Sequence, residues 1–368
     1  MQRQAPVVPA RWCHLTGLSG LVRETRRRRA EDADQPGRAI VWQPRWSPSL
    51  ALLQSVWTAP VPGMRVPLSY VAEREGKPVG LGQIRPRREE HQWEVAYLAV
   101  ESSRYPGPNT ATDEGAQTPN LRLVPDRIAS RLLGALCDAA VGQSADRILA
   151  RMTDGGGRYE LFRQLGFSLA VREYSYFHAL PAASAGQRPE ASLLARRVPG
   201  LRPQHRADVH GLLQLYERST PKMLQMVEGK RSQSWEIAPV GLGKRLTWRS
   251  GVQRWVVERD REKVAWLQIQ TLARGPHQVR ILVDDRAAEL NQSLVDFGLD
   301  VLSANAGTDR GTGSGTGMLV RVREHQERLI SALEASQFFL VDAQLLMAKM
   351  LASPVLQPQF GRVLEKVV

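Results

Sequence analysis

Side chains that carry enzyme chemistry are present in this sequence, but most of them lack the spacing that the chemistry needs. The histidines form no HxxxH or HExxH pattern, and no GxSxG segment is present, so a zinc hydrolase and a serine hydrolase are not indicated. Cys13 and Cys137 form no CxxC or Cys/His pattern, which excludes a disulfide framework and predicts no metal site. The glycine-rich segment 305–317 lacks the GxxxxGK[ST] phosphate loop and is interpreted as a surface loop.

The charge of the chain favours an anionic ligand without naming one. The formal net charge is +13 and the isoelectric point is near 10.3. The arginines are spread over every segment, and the tightest cluster, Arg26 to Arg29, is followed at once by acidic residues. No aromatic and basic RNA-binding signature accompanies the charge, so nucleic-acid binding is not expected. A phosphorylated cofactor or an acidic partner suits the charge equally well.

The chain divides into two halves of domain size. Its 368 residues suit two domains, which we place at 1–180 and 200–353, with a linker at 181–199 and a tail at 354–368. The linker is rich in Ala, Ser, Pro and Gly, and a Pro- and Gly-rich insert loop is expected at 101–124. No apolar run is long enough to span a membrane and no secretion signal is evident, so a cytoplasmic location is expected.

The two halves resemble each other in sequence and in element order. Residues 71–85 and 256–270 each predict two short strands around a turn, and six of their fifteen aligned positions are identical. Each half then continues with a third strand, an amphipathic helix, a fourth strand, another helix and a last strand. The sequence therefore predicts an α/β fold in two copies, each a mixed, mostly antiparallel sheet flanked by helices.

Element order and one local motif make the chain similar to the GNAT acyltransferase superfamily, in a tandem arrangement. The motif is the segment 159–167 (YELFRQLGF) with its closing strand at Val171 to Tyr174, which resembles the family's late helix, its Gly-Phe end and its last strand. Gly166 is expected to end the helix with a positive φ, and Phe167 to pack on the sheet. Gln337 stands in the place of that glycine in the second half.

The resemblance implies an acyl-CoA held between two central strands, with its pyrophosphate on the amides that open a helix. Acetyl-CoA is the expected acyl donor, and a small-molecule or peptide amine is the expected acceptor. The family's phosphate loop [QR]xxGx[GA] corresponds to residues 124–130, where Arg127 replaces the first glycine and could contact phosphate with its side chain. In the second half Glu289 occupies the phosphate position, so CoA is expected in the first half alone. The implied cofactor-binding residues are Leu98, Val100, Arg127, Ile128, Ala129 and Ser130.

The resemblance also implies two catalytic positions. Some members carry a general base where Glu94 stands, and alternation along the strand predicts that Glu94 shares a face with Leu98, opposite Tyr97. The tyrosine that many members use as an acid is Phe162 here and Leu333 in the second half, so Tyr97 or Tyr174 would have to supply a hydroxyl. Two functions stay open: an N-acyltransferase acting through the first half, and a non-catalytic pair that binds a ligand or serves as an interaction scaffold.

Overall fold

The computed structural model describes most of both halves. The described residues are 6–10, 14, 66–87, 91–100, 123–155, 158–180, 198–237, 251–272, 275–306 and 317–351. The sequence predictions for Cys13, residues 101–122 of the insert loop, residues 181–197 of the linker, residues 307–316 of the glycine-rich loop and the tail 354–368 lie outside them. The domain boundaries placed in those segments stay predictions.

From the second strand of each half onward, the described elements follow the same order. In the first half the described elements are β1 (Val7–Pro9), β2 (Leu68–Arg74), β3 (Lys77–Pro86), β4 (Gln92–Val100), α1 (Leu123–Gly142), β5 (Arg147–Thr153), α2 (Tyr159–Gln164) and β6 (Ser168–Ala179). In the second half they are β7 (Leu201–Pro203), α3 (Val209–Ser219), α4 (Lys222–Glu228), α5 (Ser232–Trp235), β8 (Val252–Arg259), β9 (Glu262–Gln270), β10 (His277–Val283), α6 (Leu290–Ala306), β11 (Gly317–Arg323), α7 (Glu327–Ala335) and β12 (Phe339–Met350).

The strands form one twelve-stranded sheet with internal pseudo-twofold symmetry. Its order is β1-β2-β3-β4-β5-β12-β6-β11-β10-β9-β8-β7, so each strand of the first half has its counterpart at the mirrored position. The β4–β5 and β10–β11 pairs are parallel and the other pairs are antiparallel. The predicted fold class, a mixed and mostly antiparallel α/β fold in two copies, is confirmed.

The last strands of the two halves are exchanged, which the sequence did not indicate. β12 of the second half pairs with β5, and β6 of the first half pairs with β11. Met347 of β12 accordingly belongs to the hydrophobic core of the first half, and Tyr176 of β6 belongs to that of the second. The sequence suggested two separately packed units. The structure shows instead that the two halves share one sheet.

The two hairpins are alike in detail. The β2–β3 ladder has a register shift between Ala72 and Glu73, and the β8–β9 ladder has one between Val257 and Glu258. The turn residues have positive φ in both hairpins: 51° at Glu75 and 73° at Gly76, and 49° at Asp260 and 66° at Arg261. A bulge and a turn at the same aligned positions support the duplication read from the sequence.

The late helices also end in the same way. Gly166 has a φ of 82°, and Gln337 has a φ of 61° at the equivalent place. The following phenylalanines, Phe167 and Phe338, are buried, and their amides donate to the carbonyls of Phe162 and Leu333. The predicted helix end at Gly166 is confirmed, and the second half keeps its geometry without the glycine.

Helices cover both faces of the sheet. Leu132 and Leu136 of α1 lie so close to Gly80 and Gly82 that an added Cβ atom would come within 2.8 and 2.9 Å of their side chains. We call this side the α1 face; α2, α6 and α7 lie on it as well. α4 packs on the opposite side, which we call the α4 face, with Leu224 against a cluster that includes Leu149. α3 lies on the α4 face over β8, β9 and β10.

Candidate functional site

Each half contains a parallel pair of strands that separates along its length. β4 and β5 pair from Gln92 with Arg147 to Val95 with Ala150, and both strands then continue without pairing to each other. β10 and β11 behave in the same way after Val279 and Val320. We call these openings the first gap and the second gap. A separated parallel pair exposes backbone groups that need partners, so it can accept an extended ligand.

Glu94 lies next to the first gap, within a chain of ion pairs. Its carboxylate accepts hydrogen bonds from Arg85 at 2.9 Å and from Arg151, and Arg151 also donates to Glu173 at 2.8 Å. Burial by itself would raise the pKa of Glu94, but the charges of Arg151, Arg87 and Arg85 outweigh that effect and hold the pKa below its ordinary value. Glu94 is thus a stable carboxylate and a weak proton acceptor.

A β-bulge in β4 corrects the predicted orientation of Tyr97. Tyr97 pairs with Gln83 and Val95 pairs with Ile84, so Ala96 is the extra residue that inverts the alternation. Tyr97 therefore lies on the α4 face together with Glu94, whereas Leu98 packs on the α1 face in the core with α1. The prediction that Glu94 shares a face with Leu98, opposite Tyr97, was wrong because alternation assumes an unbroken ladder.

The hydroxyl group of Tyr97 is buried. It has no hydrogen-bond partner among the described residues. Such a hydroxyl is costly to leave unsatisfied, and a ligand or a water molecule in the first gap would supply the partner. Tyr174, the other candidate, is only partly buried and packs against the core of the second half.

The residues expected to hold the pyrophosphate lie within α1 rather than at its start. The helix begins at Leu123, so the amides from Arg127 to Ser130 lie past its first turn and bond to carbonyls one turn earlier. Ile128 and Ala129 are buried in the core, Ser130 is half-buried and Arg127 is exposed. The free amides are those of the first turn, where Pro125 has none to offer. Arg127 can reach a phosphate only with its side chain.

An arginine lies at the first gap and contacts β4. Arg158, directly before α2, donates from Nη1 to the carbonyl oxygen of Leu98 at 2.5 Å. In the second half, Gln326 lies directly before α7 and donates to the carbonyl oxygen of Ile281 at 3.4 Å. A cofactor bound along Leu98 and Val100 would have to displace the Arg158 side chain. Neither Arg158 nor Gln326 was identified from the sequence, because they precede their helices without any motif.

The start of α6 in the second half is acidic. Asp284 accepts from the amide of Arg286 at 3.1 Å, and Glu289 lies exposed one residue before α6 and forms an ion pair with Arg259. These carboxylates place negative charge where a helix would otherwise attract phosphate.

The position of the family's acidic tyrosine is part of the core in both halves. Phe162 is buried, and its ring meets that of Phe167 edge to face with centroids 5.1 Å apart. Leu333 is fully buried. Within the part of the chain that the structure describes, no group of His, Cys, Asp or Glu side chains could hold a metal ion. None of the described helices is both long and apolar enough to cross a membrane.

The strand order and the two gaps define the fold as a tandem GNAT-type arrangement with exchanged last strands. Among solved structures, the chain is similar to a tandem GNAT protein from the clavulanic acid biosynthesis pathway. The identity is 12%, the match covers 94% of this chain and 98% of the other, and the TM-score is 0.48.

Two further solved structures are similar over most of the chain. A putative acetyltransferase from Pyrococcus horikoshii is 10% identical, with 96% and 92% of the two chains covered and a TM-score of 0.42. A GNAT-family acetyltransferase from Colwellia psychrerythraea is 8% identical, with 94% and 100% covered and a TM-score of 0.41. No protein-family model and no curated protein matches the sequence.

Proposed function

We propose that the chain is an acyl-CoA-dependent N-acyltransferase that binds acetyl-CoA in the first gap. The observation that carries this proposal is the separation of β4 from β5 beyond Val95, with the buried, unsatisfied hydroxyl of Tyr97 on β4 just beyond that point. A thioester placed along β4 would bring its reacting end near polar groups inside the protein. The proposal includes a cytoplasmic location, because acyl-CoA is an intracellular thioester.

The first gap suits the cofactor better than the second. Arg127 is exposed near the start of α1, where it can pair with a phosphate. Asp284 and Glu289, which precede α6, stay ionised because hydrogen bonds from arginine lower the pKa of each. A phosphate at this place would have to compete with them for those arginines. We therefore expect one CoA per chain.

The transfer step requires two proton movements. The nitrogen of a small-molecule or peptide amine forms a bond to the acyl carbon, the carbon–sulfur bond breaks, and its electron pair goes to sulfur. The amine loses a proton and the sulfur gains one. Tyr97 is the group we assign to the sulfur, since its hydroxyl is the one without a protein partner. Glu94 could take the amine's proton only as a weak base, and its contacts suit it better to hold Arg151 in place.

Isothermal titration and turnover with a panel of amines test this assignment. Tyr97→Phe should lower kcat by about a hundredfold, the lower end of general acid–base contributions, and leave the Kd of acetyl-CoA within about twofold of wild type. Tyr159→Phe, at a partly exposed tyrosine of α2, is the matched control and should change neither quantity. Equal kcat values for wild type and Tyr97→Phe would remove Tyr97 from the mechanism.

A non-catalytic ligand-binding or scaffold function is the second candidate. It is favoured by one observation: in both halves a side chain of the protein, Arg158 or Gln326, already occupies a strand carbonyl at the gap. A protein that neither binds acetyl-CoA in titration nor acylates any amine in the panel would support this candidate and contradict the first.

A further inference from the structure

A continuous network of ion pairs extends along the α4 face from the first half to the second. Positive and negative side chains alternate in it, and each inner member contacts an opposite charge on both sides. We call it the ion-pair network. In order along the face, its members are Arg85, Glu94, Arg151, Glu173, Arg323, Glu228 and Lys230.

The centre of the ion-pair network joins the two halves. Glu173 of β6 pairs with Arg323 of β11 across the two strands, and the Nε atom of Arg323 lies 3.9 Å from one oxygen of the Glu173 carboxylate. The other oxygen accepts from Arg151 at 2.8 Å. Only 4% of the Glu173 side chain and 17% of the Arg323 side chain are exposed. Since little solvent screens these charges, a change at Arg323 affects Arg151 through the carboxylate that they share.

Glu228 fixes the end of the network that belongs to the second half. Its carboxylate accepts from Arg323 and from the Tyr216 hydroxyl at 2.8 Å, and it lies 3.3 Å from the Nζ atom of Lys230. Because three donors surround this carboxylate, it holds the Arg323 guanidinium at a defined place on the α4 face.

The end of α4 also contacts the two strands that carry the first gap. Gln92 of β4 donates to the carbonyl oxygen of Glu228, and Arg147 of β5 donates to that of Met226. These carbonyls belong to the last turn of the helix, which has no partner of its own for them. Gly229, with a φ of 53°, permits the close approach, because an added Cβ atom would lie 2.9 Å from the Gln92 amide nitrogen. The second half is thus attached to β4 and β5 just before they separate.

We propose that the second half positions the acceptor site of the first half, with Arg323 and Glu228 as its positioning residues. Through Glu173 they hold Arg151, and Arg151 holds Glu94 beside the first gap, where the Glu94 carboxylate binds the ammonium group of the acceptor. The inference rests on the proposed acyl transfer for the identity of that ligand. It gives the second half, for which we expect no CoA, a part in the reaction.

Two physical reasons support this assignment. Burial raises the pKa of Glu94, but the charges of its arginine neighbours outweigh burial and lower it, so the carboxylate stays ionised and attracts a cation. Glu94 and Glu173 also share Arg151. Without Arg323, Glu173 would lose one of its cations and would bind Arg151 more strongly, which weakens the hold of Arg151 on Glu94.

Steady-state kinetics with the panel of amines tests the proposal. Arg323→Gln should raise the KM of the amine about tenfold and leave kcat and the Kd of acetyl-CoA within about twofold of wild type. Arg323→Lys keeps the charge without the planar guanidinium and should raise this KM about threefold. Arg218→Gln is the matched control and should leave the KM unchanged, since it removes an arginine of the second half whose partner Asp284 lies outside the ion-pair network.

Nuclear magnetic resonance with arginine-selective ¹⁵N labelling gives a readout that needs no turnover. The Nε–H signal of Arg151, identified by its absence in Arg151→Lys, reports the hydrogen bond to Glu173. It should shift in Arg323→Gln and stay in place in Arg218→Gln.

The two measurements separate this inference from the proposed function. If wild type acylates no amine and the Arg151 signal still responds to Arg323→Gln alone, acyl transfer fails and the positioning of Arg151 stands. An Arg151 signal that does not move in Arg323→Gln overturns the proposal, and so does an amine KM that rises equally in Arg323→Gln and Arg218→Gln. If Arg323→Gln does not fold, Arg323→Lys decides by the same two readouts.

Discussion

Glu173 is more buried than Glu94 and Glu228, and its surroundings show why a buried polar network can be stable. Arg151 donates to it at 2.8 Å, and Arg323 lies 3.9 Å away. Burial raises the pKa of Glu173, but the charges of Arg151, Arg321 and Arg323 lower it to about 2. A buried carboxylate with several cations around it is stable as an ion, and its removal would leave those cations unbalanced.

Glu173→Gln should therefore destabilise the protein in a pH-dependent way. The folded pKa of about 2 lies below the ordinary value of 4.5, so the stabilisation is complete above pH 4.5 and is lost as the pH falls toward 2. At pH 7 we expect a loss of about 3 kcal/mol in the free energy of unfolding. Urea unfolding of both proteins between pH 2 and 7 measures it.

The control for this experiment is Glu160→Gln, which removes a fully exposed partner of Arg163. It should leave the free energy of unfolding nearly unchanged at every pH, because solvent screens an exposed ion pair. A Glu173→Gln deficit that stays constant as the pH falls below 4.5 would show that the ionised carboxylate is not the source of stability.

At the scale of single residues, part of the candidate site could be predicted from the sequence. The resemblance pointed to Glu94, and the structure places this residue next to the first gap. It did not supply Arg85 and Arg151, which are 9 and 57 residues away in the sequence and reach Glu94 through strand pairing. It also placed Tyr97 on the wrong face, because one extra residue at Ala96 inverts the side-chain alternation and leaves no mark in composition.

At the scale of elements, the residues that precede α2 and α7 each donate to a strand carbonyl at one of the two gaps. Arg158 and Gln326 each lie directly before a helix and donate to a strand carbonyl, although one side chain is charged and the other is not. This suggests that each gap needs a donor when no ligand is present, since a strand carbonyl without a partner is unfavourable.

Arg158→Ala should reveal whether the first gap exchanges that donor for a ligand. We expect a loss of about 1 kcal/mol in stability without ligand, because the Leu98 carbonyl loses its hydrogen bond. If acetyl-CoA lies in the gap, its stabilising effect should be larger in Arg158→Ala than in wild type, since the cofactor no longer competes with the arginine. Differential scanning fluorimetry with and without acetyl-CoA measures both.

Arg163→Ala is the comparison, since this arginine of α2 contacts the exposed Glu160 rather than the gap. If acetyl-CoA raises the Tm of wild type, Arg163→Ala and Arg158→Ala by the same amount, it does not bind in the first gap.

The helix ends give a prediction about stability alone. Gln337 has a φ of 61°, which costs a residue with a side chain about 1 kcal/mol and costs glycine little. Gln337→Gly should therefore raise the free energy of unfolding by about 0.5 to 1 kcal/mol, as measured in urea. Arg328→Gly, at an exposed position inside α7, should lower it by a similar amount. A loss of stability in Gln337→Gly would mean that the glutamine side chain makes a contact that outweighs its backbone strain.

Much of the element order could be predicted, and the reason is local. Hydrophobic periodicity and the Gly-Phe helix end depend on neighbours within a few residues, so they identify strands, helices and the repeat. The start of α1 at Leu123 could not be placed with the same certainty, because Pro125 and the insert before it give conflicting signals. The residues that the resemblance assigned to phosphate therefore lie past the first turn of the helix.

At the scale of the whole molecule, the exchange of β6 and β12 makes the two halves parts of one structure. β12 contacts β5 and β6 along most of its length, and Leu346 packs with Leu149 and Val171 of the first half. From the sequence alone β12 could equally complete the half that contains it. Strand neighbours are a long-range property that periodicity does not encode.

Separation of the halves provides a direct test of this architecture. A chain cut in the segment 181–197 gives one fragment that ends with β6 and another that ends with β12. Each fragment alone would leave its own last strand without the neighbours it has in the sheet and would expose a long open edge at β5 or β11, which favours aggregation. Co-expressed fragments should instead form a soluble one-to-one complex that unfolds in a single transition.

Leu346→Ala, in the intact chain, then tests whether the exchange carries stability between the halves. The side chain is fully buried among first-half residues, so its truncation should cost about 2 to 5 kcal/mol. Because the sheet is shared, fluorescence of the tryptophans and circular dichroism should shift together to lower urea. Val141→Ala, at an exposed position of α1, should leave the midpoint unchanged. Two separate transitions in Leu346→Ala, or a fragment that is monomeric and stable alone, would show that the halves fold independently.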